Sequence, residues 1–222
     1  MPTSLGYGIS WLPFALPQRW PFCWWIAVAV DHYSRRALAA AVFKIEPAAS
    51  DLTRLLGRLC RSLRCSPDHL ITDHGPQFTA DAFRLWCRRR GIQQRFGAVG
   101  KYGSIAVVER FIRSMKSECT RAILVPFSTA AFEREIHHYV LWFDENRPHE
   151  RFGARTPDEI YFGCMPAARK PRFEPRARWP RRSPCAQPQA LVRGRPGAVV
   201  ELRVGYRAGR KHLPLVTLKR VA

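Results

Sequence analysis

Ile71-Thr72-Asp73-His74-Gly75-Pro76-Gln77-Phe78 contains a strand, a carboxylate and a turn in eight residues. Residues 69–72 form a short apolar strand, which the chain leaves at Asp73 into a turn marked by Gly75-Pro76. A carboxylate leaving a buried strand is held rigidly and exposed at the sheet edge, where α/β sheets place their ligands. The plainer alternative is an aspartate that caps the next turn. Upstream, residues 24–33 and 37–43 read as two apolar strands joined at Ser34-Arg35-Arg36. Residues 50–63 read as a helix with Leu52, Leu55, Leu56 and Leu59 on one face. Downstream come a helix over 79–90 that stops at Gly91, a strand over 92–96, and a helix capped by Ser104 that runs to Thr120. A last helix covers 127–143, with Phe132, Ile136, Tyr139, Val140 and Phe143 on one face. This alternation predicts an α/β fold, a mixed sheet flanked by helices.

The helix after Ser104 carries the second candidate acid. Ile105, Val108, Ile112, Met115 and Cys119 make one apolar stripe at 3.6-residue spacing. Glu109, Arg113 and Lys116 follow the i, i+4, i+7 rule beside it. An i, i+4 ion pair on a solvated face would produce this pattern. So would a metal carboxylate flanked by cations that grip a phosphate backbone. Thirty-five residues separate Asp73 from Glu109. Between them lie a helix, a strand and the glycine-bearing loop 97–103.

That spacing, the octapeptide at 71–78 and the run Ser104-Ile105-Ala106-Val107-Val108-Glu109-Arg110-Phe111-Ile112-Arg113-Ser114-Met115-Lys116-Ser117-Glu118 together resemble the Asp-Asp-Glu transposases of bacterial insertion sequences. These are relatives of the retroviral integrases with an RNase H-like core. Two further stretches resemble the same family. Val30-Asp31-His32-Tyr33-Ser34-Arg35-Arg36 matches its second-to-third strand hairpin. Trp142-Phe143-Asp144-Glu145-Asn146-Arg147-Pro148-His149, with Thr156-Pro157-Asp158-Glu159, matches the segment after its core. The likeness covers residues 20–163. Four ordered motifs are far more specific than a lone acidic pair.

The resemblance implies a chemistry. Such transposases cut a DNA phosphodiester with water and then join the new 3′ hydroxyl to target DNA. Both steps are in-line displacements at phosphorus, served by two Mg²⁺ (or Mn²⁺) ions about 3.5–4 Å apart. Oxygen-rich acidic clusters hold such ions. By resemblance Asp73 and Glu109 are the second and third catalytic, metal-binding acids. Arg113 and Lys116 lie along DNA, and Lys101 in the preceding loop is a further DNA-binding candidate. The implied partners are the element's DNA ends and target DNA, with a homo-multimer assembled on them. The implied location is the bacterial cytoplasm, at the nucleoid.

The family's first acid lies in the middle of the first sheet strand. Here no Asp or Glu precedes Asp31. Asp31 matches the hairpin position, which the family does not use for metal. Its expected job is to accept hydrogen bonds at the turn, near Ser34 or Arg35. The expectation is therefore a core whose first strand is incomplete at the N-terminus, with the missing acid a few residues before Met1. A chain short of one ligand should transfer strands poorly.

Charge divides the 222 residues, whose formal net charge is +20. Residues 165–222 carry 15 Lys/Arg against 2 Asp/Glu. The expected organisation is a catalytic core over 1–163, a Pro/Arg-rich linker over 164–188 and a small basic β segment over 189–222. In that last segment, residues 198–206 and 213–221 pair across Ala208-Gly209. The excess charge points to nucleic acid. Hydrophobic residues make up 46% of the chain, which argues against disorder as a whole. Seven scattered cysteines lack zinc spacing and point to reduced thiols. The apolar run 20–30 is too short to span a bilayer. The alternatives from other classes are a catalytically dead basic DNA-binding remnant and a ribosomal-type RNA binder. A metal-dependent nuclease of the same fold, which cuts without joining, is the nearest enzyme alternative.

Overall fold

The computed structural model describes residues 6–15, 23–97, 105–123, 128–163 and 199–221. The chain divides into two compact units, Met1–Asp144 and Glu145–Ala222. The first contains strands β1 (Gly6–Ala15), β2 (Cys23–Asp31) and β3 (Ala37–Phe43), helix α1 (Ala49–Leu63) and strand β4 (His69–Thr72). Helices α2 (Pro76–Thr79) and α3 (Asp81–Arg89), strand β5 (Gln93–Phe96) and helix α4 (Ala106–Met115) follow. After α4 come a π-helical turn at Lys116–Thr120 and helix α5 (Thr129–Glu145).

The five strands form one sheet in the order β3-β2-β1-β4-β5. β1 to β3 are antiparallel neighbours, while β4 runs parallel to β1 and β5 parallel to β4. Gly6–Ala15 fills the central position and pairs with β2 over nine residues, Tyr7 to Ala15. Pro13 argues against a central strand in the sequence. Pro13 pairs with Trp25 of β2, and among the described residues no strand flanks β1 on its other side beyond Ile9.

β2 is buried on both faces, from Ile26 to Val30. Ala27 and Ala29 join Ala41 and Leu70 under α1 and α3, where Leu52, Leu55, Leu56, Phe83 and Cys87 complete one core layer. Burial pushes the Cys87 thiol up to about 11, which keeps it protonated and unreactive. On the opposite face Trp24 meets Phe132 of α5, and Phe111 of α4 stacks edge-on against Phe143 at 4.8 Å. Two helical layers thus enclose the sheet.

The expected helix over 79–90 is interrupted. Pro76 starts a short turn, Ala80 is extended (φ −59°, ψ 137°), and α3 begins at Asp81. The break sets Phe78 fully into the core, edge-on to Phe83. The proposed cap Ser104 lies outside the described residues, and α4 opens at Ala106. The expected stripe is buried at Val108, Ile112, Met115 and Cys119. The helix widens into a π turn after Met115, where the Tyr139 hydroxyl donates to Glu118 Oε2 at 3.0 Å.

Asp31 has the role expected of it. It is 1% exposed, and its Oδ2 accepts from the Ser34 backbone N–H at 2.7 Å and the Ser34 hydroxyl at 2.6 Å.

In the second unit, Thr156 caps helix α6 (Pro157–Tyr161). Its side chain accepts from the Glu159 N–H, and Glu159 Oε2 accepts from the Thr156 N–H at 3.0 Å. Strands β6 (Val199–Tyr206) and β7 (Pro214–Val221) pair antiparallel from Val199↔Val221 to Tyr206↔Pro214. Ala208 and Gly209 take the left-handed conformation in the turn between them. The Pro/Arg-rich stretch 164–188 lies outside the described residues. Among the described residues no helix is long and apolar enough to cross a membrane.

Candidate active site

Asp73 follows directly on β4, the strand beside β1. It is half-buried, and its Oδ1 accepts the Gly75 N–H at 2.9 Å. Its Oδ2 takes no hydrogen bond from any described residue. The next side chain, His74, is exposed and stacks on Phe96 of β5 with ring centroids 4.6 Å apart. On the other side of the turn, Gln77 is buried and donates from Nε2 to Glu46 Oε1 at 2.5 Å. Glu46, in the loop between β3 and α1, is exposed.

Gly75 is required by space rather than by backbone angle. Its φ of −55° and ψ of 147° suit any residue. A Cβ built there would stand 2.8 Å from Gln77 Oε1 and 2.9 Å from Asp73 Oδ1. Both obstructions are side-chain ends, so Gly75→Ala is expected to cost only about 1 kcal/mol while displacing the carboxyl and the amide. A thermal melt checks this. A fall in midpoint beyond roughly 10 °C would mean that the backbone takes the strain.

Glu109 lies on α4, which packs against β1 and β2. It is exposed, as is Arg113, and Lys116 is half-buried. Among the described residues the Glu109 carboxylate makes no ion pair, so the plain i, i+4 pairing with Arg113 does not account for it. Lys101 lies outside the described residues. The sequence reading missed Glu46 and Gln77. Gln77 stood inside the quoted octapeptide, but only its contact with a residue 31 positions away distinguishes it.

Among the described residues no three His, Cys, Asp or Glu side chains gather as a metal cluster. β1 contributes no carboxylate, since Gly6–Ala15 contains no acid. The register Ile9↔Thr72 puts Ser10 one step on, at the level of Asp73. The donors near Asp73 are hard oxygens, which suit Mg²⁺ or Mn²⁺. Among the described residues they are too few for two ions.

A central β1 flanked by antiparallel β2 and parallel β4, with helices on both faces, defines an RNase H-like core. Two models of the integrase core domain match the chain, over residues 11–101 and 90–157, together about two thirds of it. Residues 11–157 thus match the integrase core domain. Solved structures agree on the fold. The catalytic core domain of BIV integrase is 25% identical with a TM-score of 0.56, over 72% of this chain and 95% of that one. A chain of the simian T-cell lymphotropic virus intasome, solved in complex with the PP2A regulatory subunit B56 gamma, gives 18% and 0.59, over 80% of this chain and 59% of that one. The HTLV-2 integrase catalytic core domain, solved in complex with magnesium, gives 16% and 0.54, over 72% and 96%. An uncharacterized protein of Caenorhabditis elegans is 29% identical over 102 residues. That match takes in 46% of this chain but only 8% of the relative's length.

Proposed function

We propose that this chain is a DNA-integrating polynucleotidyl transferase of the insertion-sequence transposase kind, with Asp73 and Glu109 as its second and third acids. The observation that carries this reading is the placement of Asp73 at the end of β4, beside β1, in an integrase-core sheet. Glu109, unpaired on a helix that packs against β1, supports it. When bound, Mg²⁺ would supply Lewis-acid polarisation of a phosphoryl oxygen. The chain's own residues hold and orient. Asp73 is fixed by the Gly75 N–H with one oxygen left open. Arg113 and Lys116 lie one and two turns beyond Glu109 on its helix, where cations position a phosphate backbone. The partners of this reading are the element's DNA ends, target DNA and further copies of the chain.

Residues 1–222 are expected to transfer strands poorly, because two carboxylates cannot serve two ions. The check is incubation with Mg²⁺, a supercoiled target and duplexes of the DNA flanking the gene. No joined product above background is expected. Efficient joining would sink the claim of impairment, and Asp73→Asn in that same assay would then test the site.

The absent first acid also favours a second reading, a basic DNA-binding remnant whose acids no longer matter. It predicts that Asp73→Asn and Glu109→Gln change no property of the protein, metal binding included.

A further inference from the structure

Helix α1 ends in a left-handed turn that two cysteines close. Arg64, just past the last helical residue, takes φ 54° and ψ 27°. Its N–H donates to the Arg61 carbonyl at 3.3 Å, and the Cys65 N–H donates to the Cys60 carbonyl at 3.2 Å. These two bonds define a Schellman helix end, in which the residue after the left-handed one packs against the residue five positions before it. That contact is commonly apolar; here both partners are thiols. Cys60 and Cys65 border one apolar hollow together with Leu59, Leu63, Pro67 and Trp86. Glycine usually fills the left-handed position, so with arginine there the turn leans on the contact across it. Cys65 is exposed and Cys60 is 8% exposed, and both are free. One thiol therefore meets solvent and the other stands behind it.

We propose that Cys60 and Cys65 are a reversible dithiol–disulfide pair, a modification site at which an anionic low-molecular-weight disulfide oxidises the end of α1. The backbone bond between the two residues sets their Cα atoms about 6 Å apart, inside the range of roughly 4.4–6.8 Å that disulfides take. Exposed Arg61 and Arg64 in the same turn favour an anionic reagent. The Cys65 thiolate attacks one sulfur of the reagent, forming a mixed disulfide and releasing one thiolate. The Cys60 thiolate then attacks Cys65 Sγ, so the Cys60–Cys65 bond forms, the mixed disulfide breaks and the second reagent thiolate leaves. Two protein thiols lose two electrons, one reagent disulfide is reduced to two thiols, and the two protein protons end on those thiols. The link closes residues 60–65 and ties α1 to the chain that enters β4, which leads to Asp73.

The experiment is equilibration of residues 1–222 in glutathione buffers of increasing oxidised-to-reduced ratio, alkylation of the remaining thiols, and mass mapping of tryptic peptides. Cleavage after Arg58, Arg61, Arg64 and Arg84 puts the two cysteines in separate peptides, so the bond appears as residues 59–61 joined to 65–84. In oxidising buffer that species should exceed every other link of Cys65 by about tenfold, the advantage of two thiols held side by side. Dithiothreitol should remove it. Cys60→Ser should replace it with a lasting glutathione adduct on Cys65, which the parent chain resolves. Cys65→Ser should leave Cys60 unmodified, because the exposed thiol begins the exchange. A parent chain that stops at the Cys65 adduct, with no joined peptide, would overturn the pair. So would a Cys65 joined equally to other cysteines, since no geometry would then select Cys60.

Discussion

Raising the salt from 50 to 200 mM is expected to weaken binding of residues 1–222 to duplex DNA by about 10³-fold or more. Each phosphate neutralised by Lys or Arg releases condensed counterions, so the logarithm of affinity falls linearly with the logarithm of salt. The chain carries a net charge of +20, and 15 of its 37 Lys and Arg lie in residues 165–222 against only 2 acids. About six phosphate contacts are enough for the stated loss. Exposed Arg110 and Arg113 on α4 and Arg203 and Lys211 around the β6–β7 hairpin are available without rearranging any core. Fluorescence anisotropy of a labelled duplex across a KCl series gives the slope. A slope near zero would mean that the excess charge serves something other than a phosphate backbone. Two duplexes of unrelated sequence should give similar slopes, since phosphate contacts carry no sequence information.

How much could be read beforehand depended on how far apart the interacting residues are in the chain. Asp31 was legible as a turn residue because its acceptor and the Ser34 donors are three residues apart. β3 and β4 were legible because each is a short apolar run between turn signals. The packed face of α5 followed from spacing alone, and all five residues assigned to it are buried. β1 is the opposite case. Its place is set by pairing with β2 on one flank and with His69–Thr72 on the other, and Pro13 within it argues locally against a strand. In the candidate site, Asp73 and Glu109 announce themselves by local pattern and spacing. The Glu46–Gln77 contact has no such mark, since an exposed glutamate after a strand looks like any solvated loop residue. Nor did periodicity reveal the widened turn at Lys116–Thr120, because the positions it predicts as buried remain buried.

Asp144→Ala is expected to destabilise the first unit by about 3 kcal/mol. Asp144 is 3% exposed near the end of α5, and its Oδ1 accepts the Ala37 N–H at 2.9 Å across 107 residues of sequence. That N–H belongs to the first residue of β3, just beyond the turn that Asp31 and Ser34 close from within. The β2–β3 hairpin is thus held by one carboxylate of its own and one from a helix. Alanine removes a charge-assisted acceptor and leaves a buried donor unsatisfied, which costs more than the bond itself contributes. Asp144→Asn keeps an acceptor oxygen of the same reach and should cost roughly half as much, provided the amide turns its oxygen toward Ala37. For a chain of this length 3 kcal/mol corresponds to a fall of roughly 6–12 °C in the unfolding midpoint. Thermal unfolding of the two variants beside the parent gives the comparison. Should alanine and asparagine shift the midpoint equally, the anion rather than the acceptor geometry is what α5 contributes. Should neither shift it by more than 2 °C, the hairpin does not depend on α5 for its register. Because β2 lies between β3 and β1, a hairpin loosened at Ala37 also loosens the central strand beside Asp73. Asp144→Ala should therefore weaken Asp73-dependent Mn²⁺ binding even though it lies on a different element from that carboxylate.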